Sequence, residues 1–172
     1  LEVGTFARVF TCDPNMKSGP ATDRLKPLSK ESLEIDKFLF SNGQGNYETT
    51  VWGNTSCIGL RWFEPRSIKK MEIEFAAESS LPDVNTAKVQ WWIGESAWQG
   101  IWRDDLTAVI SQKGWTDLAG QIKRDGRVWS FDVNSKDIEA SKRQFKSRGV
   151  EKIRWIFGKT DNPVFVKKLS AY

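Results

Sequence analysis

Alternation of apolar and polar side chains is the dominant pattern along this chain. In residues 57–63, Ile58, Leu60 and Trp62 alternate with glycine, arginine and phenylalanine. Because successive side chains of a strand point to opposite faces, this pattern predicts a β-strand with one buried face. The same alternation predicts strands at 68–77, 88–93, 127–133 and 151–157, and, in less regular form, at 5–11, 107–111, 115–118 and 164–169.

Turn residues separate these segments. Residues 64–67 contain Pro65, which predicts a turn that joins two antiparallel neighbouring strands. One helix is predicted near 135–148, because Asn134 can cap its start and Gly149 can end it. Short strands separated by turns, with a single peripheral helix, predict an all-β antiparallel sandwich.

The length of 172 residues fits one domain, so we expect a single β-sandwich over 1–172. Within it, residues 12–34 lose the periodicity and contain three prolines, which predicts a long irregular segment. The chain begins at Leu1 without a methionine, which indicates one module or fragment of a larger protein. No apolar run approaches the roughly 20 residues that a membrane-spanning helix needs.

The absence of histidine excludes several kinds of chemistry. It rules out histidine-based catalytic triads and zinc sites with histidine ligands, and it removes the commonest general base. Cys12 and Cys57 are too few for a four-thiolate zinc site. They are either one disulfide, which would stabilise the fold by about 4 kcal/mol, or two unrelated buried thiols.

The formal net charge is +4, and much of the excess lies in the last third of the chain. Basic residues of the predicted helix suggest a surface for phosphates, nucleic acid or acidic polysaccharide. Acidic residues are interspersed among them, however, and this mixture favours an ordinary solvated helix face over a nucleic-acid site.

Tryptophan is concentrated in residues 89–102, which hold four of the nine tryptophans. Val89, Trp91 and Ile93 share one face of the predicted strand, whereas Trp92 lies on the polar face with Lys88 and Gln90. After this strand, small and polar residues predict a loop. The pattern is typical of a ligand platform and equally of a thick hydrophobic core.

The loop carries the groups that sugar binding needs. An aromatic ring packs against the apolar face of a pyranose, and carboxylates, amides and guanidinium groups bind its hydroxyls. The candidate ligand-binding residues are Trp92, Trp98, Trp102, Arg103, Asp104 and Asp105, together with Asn42, Gln44, Asn46 and Tyr47 in a glycine-rich loop. The remaining tryptophans in apolar alternations are expected in the core.

Paired carboxylates are the catalytic candidates, and they are weak. Asp104 and Asp105 are adjacent, so an extended backbone points them to opposite faces. Glu72 and Glu74 share a face, but Lys70 stands beside them, as in an exposed polar stripe. No nucleophile elbow, phosphate loop or metal-ligand cluster accompanies them. We therefore expect no enzyme activity.

Three parts of the sequence resemble the galactose-binding-like β-sandwich superfamily, which includes discoidin domains and family 32 carbohydrate-binding modules. These parts are TTVWGNTSCIGLRWFEPRSIKKMEIEF at 49–75, the tryptophan strand with its loop, and VEKIRWIFGKTDNPVFVKKLSAY at 150–172. The resemblance implies a jelly-roll sandwich with its ligand site on loops at one end. Members of the superfamily bind sugars, membranes or proteins, and many are accessory modules of enzymes.

The resemblance also implies a structural calcium ion in many members, and this chain departs from that pattern. Thr50 matches the family's threonine, but Gly45 stands at the usual aspartate position. Lys167 and Lys168 stand where an acidic ligand is expected. Because calcium prefers oxygen ligands that include carboxylates, we expect no bound metal or other cofactor.

The resulting hypothesis is a non-catalytic carbohydrate-binding or accessory module, secreted or on the cell surface. Its partner would be a glycan or another domain of the parent protein. Two alternatives stay open: a protein-docking or scaffold module that uses the same aromatics, and a polyanion binder that uses the basic helix.

Overall fold

The computed structural model describes residues 1–14, 36–92, 115–134, 136 and 149–172. Within them the chain forms two antiparallel sheets. The larger sheet has the order β2-β1-β5-β11-β7-β8, with β4 paired to β5, and the smaller sheet has the order β3-β12-β6-β10-β9. The strands are β1 (Arg8–Thr11), β2 (Lys37–Phe38), β3 (Tyr47–Glu48), β4 (Val51–Trp52), β5 (Thr55–Arg66), β6 (Lys70–Phe75), β7 (Lys88–Trp92), β8 (Trp115–Asp117), β9 (Ile122–Asp125), β10 (Val128–Asp132), β11 (Val150–Phe157) and β12 (Phe165–Ala171). Two short 3₁₀ helices span Gly4–Phe6 and Val84–Thr86.

The core lies between the two sheets and is built by the predicted alternation. The inward residues from the larger sheet are Ile58, Leu60, Trp62, Val89, Trp91, Ile153, Trp155 and Phe157, and those from the smaller sheet are Met71, Ile73, Phe75, Trp129 and Phe131. The ring of Phe75 contacts those of Trp129 and Phe157, with centroid distances of 4.8 and 5.8 Å. The expected antiparallel β-sandwich is thereby confirmed.

The connection between β5 and β6 differs from the sequence prediction. The predicted turn at 64–67 is wrong, because β5 continues through Pro65 to Arg66. Pro65 lies in an irregular stretch between the β11-paired residues Arg61 and Arg66, where its missing N–H costs no regular ladder bond. The two strands are also not neighbours: β5 belongs to the larger sheet and β6 to the smaller.

Three sequence predictions lie outside the described residues: most of the helix at 135–148, the strand at 107–111 and nearly all of the irregular segment at 12–34. At the expected start of the helix, the Asn134 Oδ1 accepts a hydrogen bond from the Lys136 backbone N–H at 3.0 Å. This contact has the geometry of an N-cap. Among the helices of the described residues, none is long and apolar enough to cross a membrane.

The outer face of the larger sheet is also buried, which is unusual for a two-layer sandwich. Phe10, Cys12, Cys57 and Ile156 form a second apolar cluster there, each at most 6% exposed. Gly59 lies opposite Phe10 on the neighbouring strand. A side chain at this glycine would occupy the space that the Phe10 ring fills.

We predict that Gly59→Ala strongly destabilises the protein. The added methyl group would meet the Ile153 carbonyl oxygen and lie 2.7 Å from two atoms of the Phe10 ring. Overpacking of this kind costs about 1–3 kcal/mol, and we expect the upper end because one obstacle is backbone. Urea denaturation measures the change. Gly43→Ala is the matched control, since a methyl group there meets no atom within 4 Å, and an equal effect of both changes would contradict the prediction.

Candidate functional site

A cluster of cationic, polar and aromatic side chains covers the outer face of the larger sheet. Its members come from β7, β8 and β11 and from the segment before β2; we call it the outer-face cluster. It comprises Asp36, Gln90, Trp92, Trp115, Asp117, Lys152 and Arg154. Because core and outer positions alternate along β11, Lys152 and Arg154 lie on this face while Ile153 and Trp155 enter the core.

Arg154 is the most buried charged residue of the outer-face cluster, with 1% of its surface exposed. Its Nε and Nη2 donate to the Gln90 Oε1 at 3.0 and 2.8 Å, and its Nη1 donates to the Cys12 Sγ at 3.0 Å. Its guanidinium carbon lies 4.0 Å from the centroid of the Trp115 ring. Gln90 in turn donates from Nε2 to the Asp117 Oδ1 at 2.6 Å. The cation is thus linked through an amide to a carboxylate at the sheet edge.

Lys152 occupies the neighbouring part of the outer-face cluster. Its Nζ lies 3.1 Å from the Asp36 Oδ2 and 4.3 Å from the centroid of the Trp92 ring. The Arg61 Nη1 lies 2.8 Å from the same carboxylate oxygen, so Asp36 forms ion pairs with two cations. Burial lowers the pKa of Lys152 below its usual value, although the charge of Asp36 opposes this shift.

Trp92 and Trp115 lie opposite each other where β7 and β8 pair. Their rings meet edge to face with a centroid distance of 5.5 Å. They are also the two residues that flank segment 93–114, so both ends of that segment attach to one tryptophan pair. The candidate residues Trp98, Trp102, Arg103, Asp104 and Asp105 all belong to this segment and lie outside the described residues.

The predicted role of Trp92 as a ligand platform needs correction. Only 3% of its surface is exposed, and the charge of Lys152 faces its ring. A ring in this position is not available to stack on a sugar. Trp115, by contrast, is half-buried, and the side chain of Asp117 is 61% exposed.

The second predicted segment, 42–47, uses much of its polar chemistry for its own fold. The Asn42 Oδ1 accepts hydrogen bonds from the backbone N–H groups of Gln44 and Asn46 at 2.9 and 3.1 Å. Asn46 is 7% exposed and donates from Nδ2 to the Glu78 Oε1 at 2.6 Å. Tyr47 packs against the core, whereas Gln44 is exposed.

The two predicted segments attach toward opposite ends of the sandwich. Tyr47 pairs with Val166, near the end where β11 connects to β12. Strand β7 runs away from that end, because Lys88 lies opposite Ile156 and Trp91 lies opposite Ile153. The chain therefore leaves β7 toward the end where β5 connects to β6.

The residues at the expected calcium position do not fit a calcium ion. Lys167 and Lys168 form surface ion pairs with Glu74 and Glu2, with N–O distances of 3.2 and 3.4 Å. Gly45 has a φ of 78°, which suits a turn and supplies no side-chain ligand. Within the described ranges, no group of three or more His, Cys, Asp or Glu side chains is arranged to hold a metal ion.

The acidic pair Glu72 and Glu74 forms a partly exposed stripe on the smaller sheet. Glu72 lies 3.1 Å from Lys70, and Glu74 pairs with Lys167. Both carboxylates are thus partners of surface lysines, as the sequence pattern predicts.

Sequence reasoning missed Asp36, Lys152 and Arg154 as members of a site. The spacing of Lys152 and Arg154 places both on one face of β11, and Gln90 and Trp92 are spaced likewise on β7. That shared spacing is the signal that could have found the cluster. The polar face of a strand usually meets solvent, so this spacing alone was not a reason to expect a buried cluster.

No family model matches the chain, and no curated protein matches it. Solved structures of similar fold include a family 32 carbohydrate-binding module of Clostridium perfringens in complex with GalNAc-β-1,3-galactose; the match covers 100% of this chain and 99% of that one, with 11% identity and a TM-score of 0.48. A β-galactosidase structure of Streptococcus pneumoniae matches over 97% of this chain and 90% of that one, with 9% identity and a TM-score of 0.49. A chitosan-binding module of a Paenibacillus chitosanase/glucanase matches over 74% of each chain, with 9% identity and a TM-score of 0.44. With identities of 9–11% and TM-scores below 0.5, these similarities decide neither the superfamily nor the ligand of this chain.

We predict that the two partners of the buried ion pair respond differently to replacement. Asp36→Asn leaves Lys152 buried without its counter-charge, which should lower the free energy of unfolding by about 3–5 kcal/mol. Lys152→Met leaves Asp36 paired with Arg61 and keeps an aliphatic chain beside Trp92, so we expect a change within about 1 kcal/mol. Urea denaturation of both variants measures the contrast, and equal losses would contradict it.

We also predict that chelation of divalent cations leaves the melting temperature unchanged. Calcium present at a hundredfold over its dissociation constant would stabilise a specific site by about 2.7 kcal/mol. The lysines at the expected ligand positions argue against such a site. Thermal unfolding with EDTA, and again after addition of calcium, tests this; a reversible fall of several degrees would show that an ion is bound.

Proposed function

We propose that this protein is a non-catalytic carbohydrate-binding or accessory module, acting outside the cell. Its ligand site is built on residues 98–105, which belong to the segment between β7 and β8. The observation that supports the proposal is the pairing of Trp92 with Trp115, which attaches both ends of segment 93–114 to the outer-face cluster.

The chemistry of this region suits a sugar. The segment supplies Trp98 and Trp102 as aromatic planes, with Arg103, Asp104 and Asp105 as hydrogen-bonding groups. Two residues beyond Trp115, the exposed side chain of Asp117 adds a carboxylate near the base of segment 93–114. Packing at the base matters because a site gains affinity when its supporting residues are held rigid before the ligand arrives.

Exposed aromatic residues favour a second candidate, a protein-docking module. Phe6, Phe40 and Phe63 are 66%, 87% and 95% exposed, respectively. Exposed aromatic side chains are frequent hot spots of protein interfaces. Here the partner would be another domain of the parent protein. The third candidate, polyanion binding by the basic helix at 135–148, rests on residues outside the described ranges and stays a prediction.

We predict that Trp98→Ala abolishes glycan binding and leaves the free energy of unfolding within about 1 kcal/mol of its original value, as for an exposed loop residue. A glycan array identifies a ligand, and calorimetry of wild type and variant measures the loss. Phe63→Ala is the matched control: it removes another exposed aromatic ring, so it should bind glycan like the wild type.

Three results would contradict the proposal. A loss of 3–5 kcal/mol in Trp98→Ala would identify Trp98 as a core residue. Absence of glycan binding, together with a parent domain that is captured by the wild type and lost in Phe63→Ala, would establish the docking function instead. Binding that falls steeply with salt concentration would indicate the polyanion alternative.

A further inference from the structure

Cys12, the residue directly after β1, lies beside Cys57 of the neighbouring antiparallel strand β5. The pairing of β1 with β5 sets Arg8 opposite Arg61 and Phe10 opposite Gly59. The same register, continued two residues further, sets Cys12 opposite Cys57. Their Sγ atoms are 3.5 Å apart, and both residues are almost completely buried as free thiols.

Hydrogen bonds hold the two thiols in this arrangement. The Cys12 backbone N–H donates to the Cys57 Sγ at 3.2 Å, and that Sγ donates to the Cys12 carbonyl oxygen at 2.8 Å. Thr11 adds a further bond between the two strands, because its Oγ1 donates to the Cys57 carbonyl oxygen at 2.7 Å. A disulfide has an S–S distance of about 2.05 Å, so closure requires the two sulfur atoms to approach by about 1.5 Å.

We propose that Cys12 and Cys57 are a modification site, at which oxidation forms an intramolecular disulfide that cross-links β1 to β5. The inference is independent of what the protein binds. It selects the first of the two alternatives that the sequence left open.

The reaction is thiol–disulfide exchange with a small external disulfide, such as oxidised glutathione. The thiolate of one cysteine attacks the external disulfide and releases one glutathione thiol; the second cysteine then attacks the mixed disulfide and releases the other. Two protein thiols are oxidised and one external disulfide is reduced, with the two protons taken by the released thiols. The buried sulfur atoms become accessible while β1 is detached from β5, during folding or local opening.

The contact between the two thiols also couples their ionisation. Burial raises the pKa of the Cys57 thiol, but the hydrogen bond with Cys12 and the nearby charge of Arg154 outweigh burial and lower it. The hydrogen bond with Cys57, together with burial, raises the pKa of Cys12. These contacts are broken when β1 leaves β5, so either thiolate can begin the exchange.

The cross-link acts at a weakly held part of the fold. Strand β1 has four residues and its neighbour β2 has two. Strand β1 also carries Phe10, whose ring stacks on Trp115 with a centroid distance of 6.1 Å. A disulfide next to Phe10 would hold this ring, and with it the contact to Trp115 of the outer-face cluster, against the central strand β5.

The test is to refold the wild-type chain in a glutathione redox buffer, alkylate it in denaturant with N-ethylmaleimide, and analyse it by mass spectrometry. We expect the oxidised chain to be lighter by two hydrogen atoms, to take up no adduct, and to give a linked peptide pair that contains Cys12 and Cys57. The reduced chain should take up two adducts. Two adducts after equilibration with oxidised glutathione, or a disulfide between two chains, would overturn the proposal.

Thermal unfolding gives a second measurement. The cross-link closes a long loop, so we expect the melting temperature of the oxidised chain to exceed that of the reduced chain by on the order of 10 °C. Cys12→Ser and Cys57→Ser should each remove this dependence on reductant. A wild-type melting temperature that does not change on reduction would contradict the stabilising cross-link.

Discussion

The central constraint on this structure is that β11 and residues 56–60 of its neighbour β5 are buried on both faces of the sheet. Toward the smaller sheet they present apolar side chains, as any sandwich requires. Toward the outside they present Arg61, Lys152 and Arg154. Removing a cation from water costs several kcal/mol unless partners replace the lost hydration. Asp36, Gln90 and the rings of Trp92 and Trp115 are those partners, so the outer face is an interdependent set of polar contacts.

Sequence reasoning recovered the strands because alternation reports which face of a strand is apolar. It recovered β6, β7, β10 and β11 within a few residues. It did not recover which strands pair, since alternation is the same whether the next strand lies beside the first or across the core. The assignment of β5 and β6 as neighbours failed for this reason. The short strand β9 was missed although the two-residue hairpin at Gly126, with a φ of 59°, is a known signal of such a connection.

The candidate site was likewise predictable only in part. The composition of residues 98–105 and 42–47 identified groups able to bind a ligand, but composition does not say which groups the fold itself consumes. Asn42 and Asn46 show the difference: their amides close their own loop and bind Glu78. The burial of Trp92 was unpredictable for another reason, because a tryptophan on the polar face of a strand meets solvent unless that face is covered. Only the three-dimensional arrangement shows that this face of β7 is covered.

A structural consequence of the outer-face cluster is that the stability of the sheet and the attachment of segment 93–114 depend on the same residues. Trp115 contacts Phe10, Trp92 and Arg154, and it is also the residue at which segment 93–114 rejoins the sheet. Any change that moves the Trp115 ring therefore moves the base of that segment. Contacts within a packed cluster are coupled, and replacements among them are not additive. Replacements within the cluster should for this reason change how the segment is attached to the sheet, even where no cluster residue touches a ligand.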